Sequence, residues 1–102
     1  MARTSEKDLN GLVNRLNRIT NSPMAAYTED ANGKFRANIG NYRLDYAYGG
    51  VKLVRMHNEM GGVSTPLYMG YETKRTAYNL IAAFIAGIES VNQGERNGQV
   101  LR

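Results

Sequence analysis

The sequence predicts an α+β fold: a two-layer sandwich whose antiparallel sheet of three to four strands is flanked by an N-terminal and a C-terminal helix, in the order α-β-β-β-α. Three patterns carry this. Leu9, Leu12, Val13, Leu16 and Ile19 recur at three- and four-residue steps near the start of the chain. Ala77, Leu80, Ile81, Phe84, Ile85 and Ile88 do the same near its end. Between them, Tyr42, Leu44 and Tyr46 alternate toward Gly49-Gly50, and Val54 and Met56 alternate away from it, as the two arms of a β-hairpin do. Each helix has one apolar stripe and the sheet one apolar face, so laying the helices on that face buries all three.

The first helix is predicted from Ser5 to Ile19. Ser5 can cap it, with Asp8 three residues on as an approximate capping-box partner. Lys7, Asn10, Asn14, Arg15, Asn17 and Arg18 fall largely on the other side and read as a solvated outer face. Pro23 and the polar run Thr20-Asn21-Ser22 end the helix. Asn32-Gly33 then marks a short hairpin with strands at Ala25 to Thr28 and Lys34 to Ile39.

The register of the central hairpin depends on its loop. With Gly49-Gly50 alone as the loop, Leu44 faces Arg55 and the apolar rows miss each other. A three-residue loop, Tyr48-Gly49-Gly50, sets Leu44 opposite Val54 and Tyr42 opposite Met56, with Gly50 at positive φ, and is the expected register. It places Arg43 against Arg55 on the second face, with Asp45 diagonally between them, so that this face shows Arg43, Asp45, Arg55 and His57. A second turn at Glu59 to Gly62 leads into a strand from Val63 to Met69, where Pro66 requires an edge or a break.

The second helix is predicted from Thr73 to about Val91. Thr76 to Ile88 carries no charge, and Ala82, Ala83, Ala86 and Gly87 are small. Such a helix is expected to be covered on more than one side, either by the sheet and the first helix together or by a second copy in a homo-oligomer. Residues 1–92 form one domain on this reading, and 93–102, Gly-rich and without period, form a flexible tail.

Composition narrows the function classes. A chain of 102 residues is one domain, and 42% hydrophobic with 22% charged residues is ordinary for a folded one. The absence of cysteine removes disulfide scaffolds, thiolate zinc sites and thiol nucleophiles. The N-terminal stretch has no apolar signal region and no uncharged run spans a bilayer, so a cytoplasmic protein without a membrane partner is expected. The balance of 13 Lys and Arg against 9 Asp and Glu permits an acidic partner, with the cations spread rather than blocked.

No chemical motif stands out. His57 is the only histidine and has no companion ligands, so no metal and no cofactor are expected. Ser64, His57 and Asp45 make a triad on paper only, since no nucleophile elbow surrounds them. Gly49-Gly50 and Gly61-Gly62 fit no phosphate-loop pattern. The chain reads as a binding protein rather than an enzyme.

The tyrosines carry more information. Seven are present without a tryptophan, and Tyr42, Tyr46, Tyr48, Tyr68 and Tyr71 gather around the sheet. Tyr42 and Tyr46 are expected in the core and Tyr48 exposed at the loop tip. The candidate partner surface is therefore Tyr48, Lys52, Arg55 and His57, with Arg43 and Asp45 orienting them. The alternative is a nucleic-acid surface of Lys74, Arg75, Arg43 and Arg55, with a dimer that sequesters a small nucleotide as a further possibility.

Two resemblances add context. The α-β-β-β-α order, with Thr73-Lys74-Arg75 followed by Ala77 and Ala82-Ala83, loosely resembles double-stranded-RNA-binding domains, although their Gly-rich third-strand approach and full lysine cluster are only half present. Tyr42-Arg43-Leu44-Asp45-Tyr46-Ala47-Tyr48-Gly49-Gly50-Val51-Lys52-Leu53-Val54-Arg55, then Gly61-Gly62-Val63-Ser64 and the second helix, resembles small uncharacterised proteins of tailed bacteriophages and prophages over residues 38 to 90. That resemblance implies a product acting in the cytoplasm of a bacterial host, where such proteins bind and modulate a host or defence component. It assigns no residue a role.

Overall fold

Ser5 starts the first helix. Its hydroxyl accepts from the Asp8 N–H at 3.1 Å while the Asp8 carboxylate accepts from the Ser5 N–H at 3.0 Å, so the capping box is complete and α1 runs Glu6–Ile19. The computed structural model describes residues 3–67 and 69–97, with side chains through Asn92. Asn21, at φ 57°, turns the chain out of α1 in the left-handed region that asparagine tolerates.

The capping bonds, that from the Ser5 N–H first, hold the Asp8 carboxyl below its usual pKa. A carboxyl whose pKa is depressed by folding contributes stability that is full above its unfolded pKa and is lost as pH falls through its folded one. Asp8→Asn is accordingly expected to flatten the fall in stability between about pH 5 and pH 2, measured by urea unfolding across that range. An unchanged acid slope would show that the cap adds nothing.

β1 (Tyr27–Glu29) and β2 (Phe35–Ala37) form a separate two-stranded ribbon, shorter than expected and outside the main sheet. The Asp30 side chain closes its turn by accepting from the N–H groups of Asn32 and Lys34, and only Ala37 of the ribbon is buried.

The main sheet has the order β3-β4-β5, with β3 at Tyr42–Ala47, β4 at Gly50–Met56 and β5 at Val63–Ser64. The register differs from the expected one: Tyr42 lies opposite Arg55, Leu44 opposite Leu53, and Ala47 opposite Gly50. The loop is two residues, Tyr48-Gly49, at φ 54° and 74°. Positive φ at both central positions makes a type I′ turn, whose twist matches that of the strands. Gly50 is thus the first residue of β4 and does not sit at positive φ.

The slip changes the faces. Val51 and Leu53, not Val54 and Met56, join Tyr42 and Leu44 on the helix side. Val54 and Met56 lie on the second face and are also buried, so that face is not the expected polar one, and Arg55 is not on it. β5 stops at Ser64, two residues before Pro66, which has no N–H to extend the ladder. Beyond it the backbone of Glu72 pairs with Val51 through two hydrogen bonds of 2.9 and 2.8 Å.

Thr73 caps the second helix by accepting from the Thr76 N–H, and α2 runs Lys74–Asn97, past the expected end at Val91. Of the expected tail, residues 98–102 lie outside the described residues. Ala77, Ile81 and Ile85 are buried against Leu9, Val13 and Leu16 of α1 and Tyr42, Val51 and Leu53 of the sheet, giving one core between helices and sheet. This is the predicted α+β sandwich, with both helices against one face. Leu80 turns outward instead of joining the stripe, and Ala83, Ala86 and Gly87 are exposed, so neither the sheet nor α1 covers that side.

One residue of the expected outer face of α1 is in the interior. Asn17 is 1% exposed, its Oδ1 accepting from the Tyr42 N–H at 2.8 Å and its Nδ2 donating to the Tyr42 carbonyl at 3.0 Å. These outward groups of an edge strand would otherwise go unpaired beneath the helix. Among the described residues no helix is long and apolar enough to cross a membrane.

Candidate functional site

The two-residue turn brings a cluster together at the tip of the β3–β4 hairpin. Tyr48 occupies the first central position of the type I′ turn, where asparagine, aspartate or glycine is preferred, and 94% of it is exposed. Its ring meets that of Tyr71 edge-on, with centroids 5.4 Å apart and planes at 68°. The Tyr71 hydroxyl donates to the Asp45 carboxylate. Lys52, opposite Asp45 in the ladder, holds its ammonium 4.7 Å from the centre of the Tyr71 ring.

Tyr71 is therefore the hub, and it was not among the candidate contact residues. It lies in Gly70-Tyr71-Glu72, a segment without periodicity, and only the Glu72–Val51 bridge brings it onto the hairpin. The bond to Asp45, aided by burial and by the negative charge of Asp45, raises the Tyr71 pKa above its usual value. The phenol thus remains a protonated donor at neutral pH, and it supports Tyr48 from the side.

Beside the tip, a cleft of about 600 Å³ opens between the hairpin and the start of α2, bounded by Tyr46, Ala47, Gly50, Val51, Thr73 and Lys74. Tyr46, expected in the core, is 46% exposed here. The closeness of its floor depends on Gly50. A Cβ there would lie 2.9 Å from the Tyr71 carbonyl carbon and 3.0 Å from its oxygen.

The other candidates fall elsewhere. Arg55 lies on the helix-side face, its guanidinium 4.7 Å from the centre of the Tyr42 ring and its Nε donating to the Gly40 carbonyl at 3.1 Å. Arg43, opposite Val54, donates to the Leu44 carbonyl. His57 is exposed beyond the far end of β4. Asp45, Tyr48 and Lys52 are thus brought together, whereas Arg43, Arg55 and His57 lie toward the base of the hairpin.

The alternative surface divides as well. Lys74 and Arg75 follow Glu72 at the level of Val51, and Arg55 is four residues further along β4, about 13 Å at ~3.3 Å per residue. The four cations form two groups rather than one stripe. Nor is the paper triad assembled: Asp45 pairs with Lys52, Ser64 with Arg55, and His57 lies past both. Among the described residues no group of three or more His, Asp or Glu is placed to hold a metal ion.

No family model, curated protein or solved structure matches this chain. The functional reading accordingly rests on the geometry of the tip.

Proposed function

We propose that this protein is a small, non-enzymatic binding module of phage type that acts on a host or defence protein in the bacterial cytoplasm through its hairpin tip. The observation that carries the reading is Tyr48. It holds a left-handed conformation that costs a non-glycine residue on the order of 1 kcal/mol, yet it is almost wholly exposed and fills no part of the core. A side chain kept at such a cost without burial is explained by contact with a partner. Tyrosine suits that role, since it offers a large, stiff ring with few rotamers to freeze. The support from Tyr71, Asp45 and Lys52 fits the same purpose, because it orients the ring before binding.

Tyr48→Asn tests this, since asparagine adopts the turn conformation more readily. The variant is expected to be more stable by about 0.5–1 kcal/mol in urea unfolding while losing the proteins that the natural chain captures from bacterial lysate. A variant that captures the same proteins in the same amounts, or that is less stable than the natural chain, sinks the proposal.

A further inference from the structure

We infer that the protein pairs with a second copy of itself through the uncovered side of α2, the two helices running antiparallel and Leu80 of each seated in a hole on the other. That side carries both halves of such a contact. Phe84, Gly87, Ile88 and Val91 stand at positions i, i+3, i+4 and i+7, the arrangement that receives one large side chain in knobs-into-holes packing. With Ala83 and Asn92 they line a groove of about 480 Å³. Gly87 keeps its floor open. A Cβ there would meet nothing in its own chain, and glycine inside a helix costs stability relative to alanine without gaining a contact. Gly11 of α1 is equally unconfined, but it lies among Lys7, Asn14 and Arg15 on a charged face. The side chain that matches the hole is Leu80, which is large, apolar and exposed two turns before it.

The spacing of knob and hole decides the occupant. The hole is centred between Gly87 and Ile88, about 11 Å along the helix from Leu80 at ~1.5 Å per residue. When a second copy runs antiparallel with the two-fold axis midway, beside Ala83 and Phe84, each Leu80 comes level with the other's hole. Both holes are then filled at once, as a closed two-fold dimer requires. Run parallel in register, the copies would set Leu80 against Leu80 and hole against hole. Ala83 at the axis is small enough for the backbones to approach. The charge pattern agrees, because Thr76 to Ile88 is uncharged and pairing this face with itself opposes no like charges. Size sets the strength: the face from Thr76 to Val91 is about 23 Å long and about 10 Å wide, short of a standard interface, so the dimer is reversible and forms at micromolar concentrations. Since α2 starts beside the hairpin, antiparallel pairing places the two Tyr48 tips at opposite ends of the dimer.

Sedimentation equilibrium of the full chain from about 1 μM to about 1 mM tests this, and the mass is expected to rise from one chain toward two. Leu80→Glu is expected to hold the mass at one chain throughout with its helical circular dichroism retained, because Leu80 lies outside the core. Gly87→Leu fills the hole with a good helix former and is expected to do the same. The natural chain has no cysteine, so Ala83→Cys places one thiol beside the axis and is expected to form a disulfide-linked dimer on mild oxidation, at least about tenfold faster than Asn14→Cys on the exposed face of α1. Tyr48→Asn is expected to dimerise as the natural chain does, which keeps this result separate from binding at the tip. A single-chain mass at every concentration, an assembly larger than two, dimerisation that survives both Leu80→Glu and Gly87→Leu, equal cross-linking of the two cysteine variants, or loss of the dimer in Tyr48→Asn overturns the inference.

Discussion

Asn17→Leu is expected to destabilise the fold by about 2–5 kcal/mol, because it strands both polar groups of the Tyr42 backbone in the interior. Asn17 serves edge strand β3 as one residue of a neighbouring strand would, with an acceptor for the N–H at 2.8 Å and a donor for the carbonyl at 3.0 Å. Leucine is close in volume and follows the apolar stripe, so burial alone favours the change. What decides against it is desolvation, at about 1–3 kcal/mol for each buried group left without a partner. Against a total stability of about 5–15 kcal/mol, that is a large fraction. Asn17→Asp keeps the acceptor but sets a buried carboxylate against the Tyr42 carbonyl, and is expected to cost at least as much at neutral pH. Urea unfolding should show a lower midpoint with an unchanged slope, and a loss under about 0.5 kcal/mol would mean that water reaches the β3 edge.

Gly50→Ala is expected to cost about 2–4 kcal/mol, for a different reason from its neighbour. The added Cβ would meet backbone rather than a side-chain end: the Tyr71 carbonyl carbon at 2.9 Å, its oxygen at 3.0 Å and the Glu72 oxygen at 3.1 Å. Backbone atoms held in a ladder have no rotamer to move into. Either β4 shifts or the two hydrogen bonds between Val51 and Glu72 open, and each of those contributes about 0.5–1.5 kcal/mol net. Gly49→Ala is the control. A Cβ there meets nothing within 4 Å, but the residue sits at φ 74°, so its cost is backbone strain of about 1 kcal/mol. Hydrogen exchange separates the cases, with the Val51 and Glu72 amides losing protection in Gly50→Ala only. Equal protection in both variants would show that the bridge tolerates the methyl group.

These two positions bear on function in different ways. Asn17 is remote from the tip, so its loss lowers activity only through the folded fraction. Gly50 forms the cleft floor and brings Tyr71 onto the hairpin, so its replacement changes site and stability together. Binding tests are cleaner at Tyr48, which is exposed and outside the core.

Local rules alone, read along the chain, determined the two helices, the Ser5–Asp8 cap, the turn at Asn32-Gly33, the break before Pro66 and the exposure of Tyr48. Each depends on neighbours a few residues apart, where periodicity and capping chemistry act directly. The register of the central hairpin was not legible, because β4 is apolar at both parities: Val51 and Leu53 on one face, Val54 and Met56 on the other. Alternation then favours no face. The choice fell to the turn, which takes Tyr48 at an unfavourable φ, against residue preference. Tertiary structure alone decided three further points. Asn17 is a long-range partner of Tyr42, and nothing local distinguishes it from Asn10 or Asn14. Tyr71 reaches the tip only because Glu72 bridges to Val51. Arg55 parts from Arg43 and Asp45 because a shift of register by one residue sends it to the opposite face of the sheet. Short-range order follows from residue types at fixed spacing, whereas the site depends on which backbone edges remain unpaired until the chain has closed on itself.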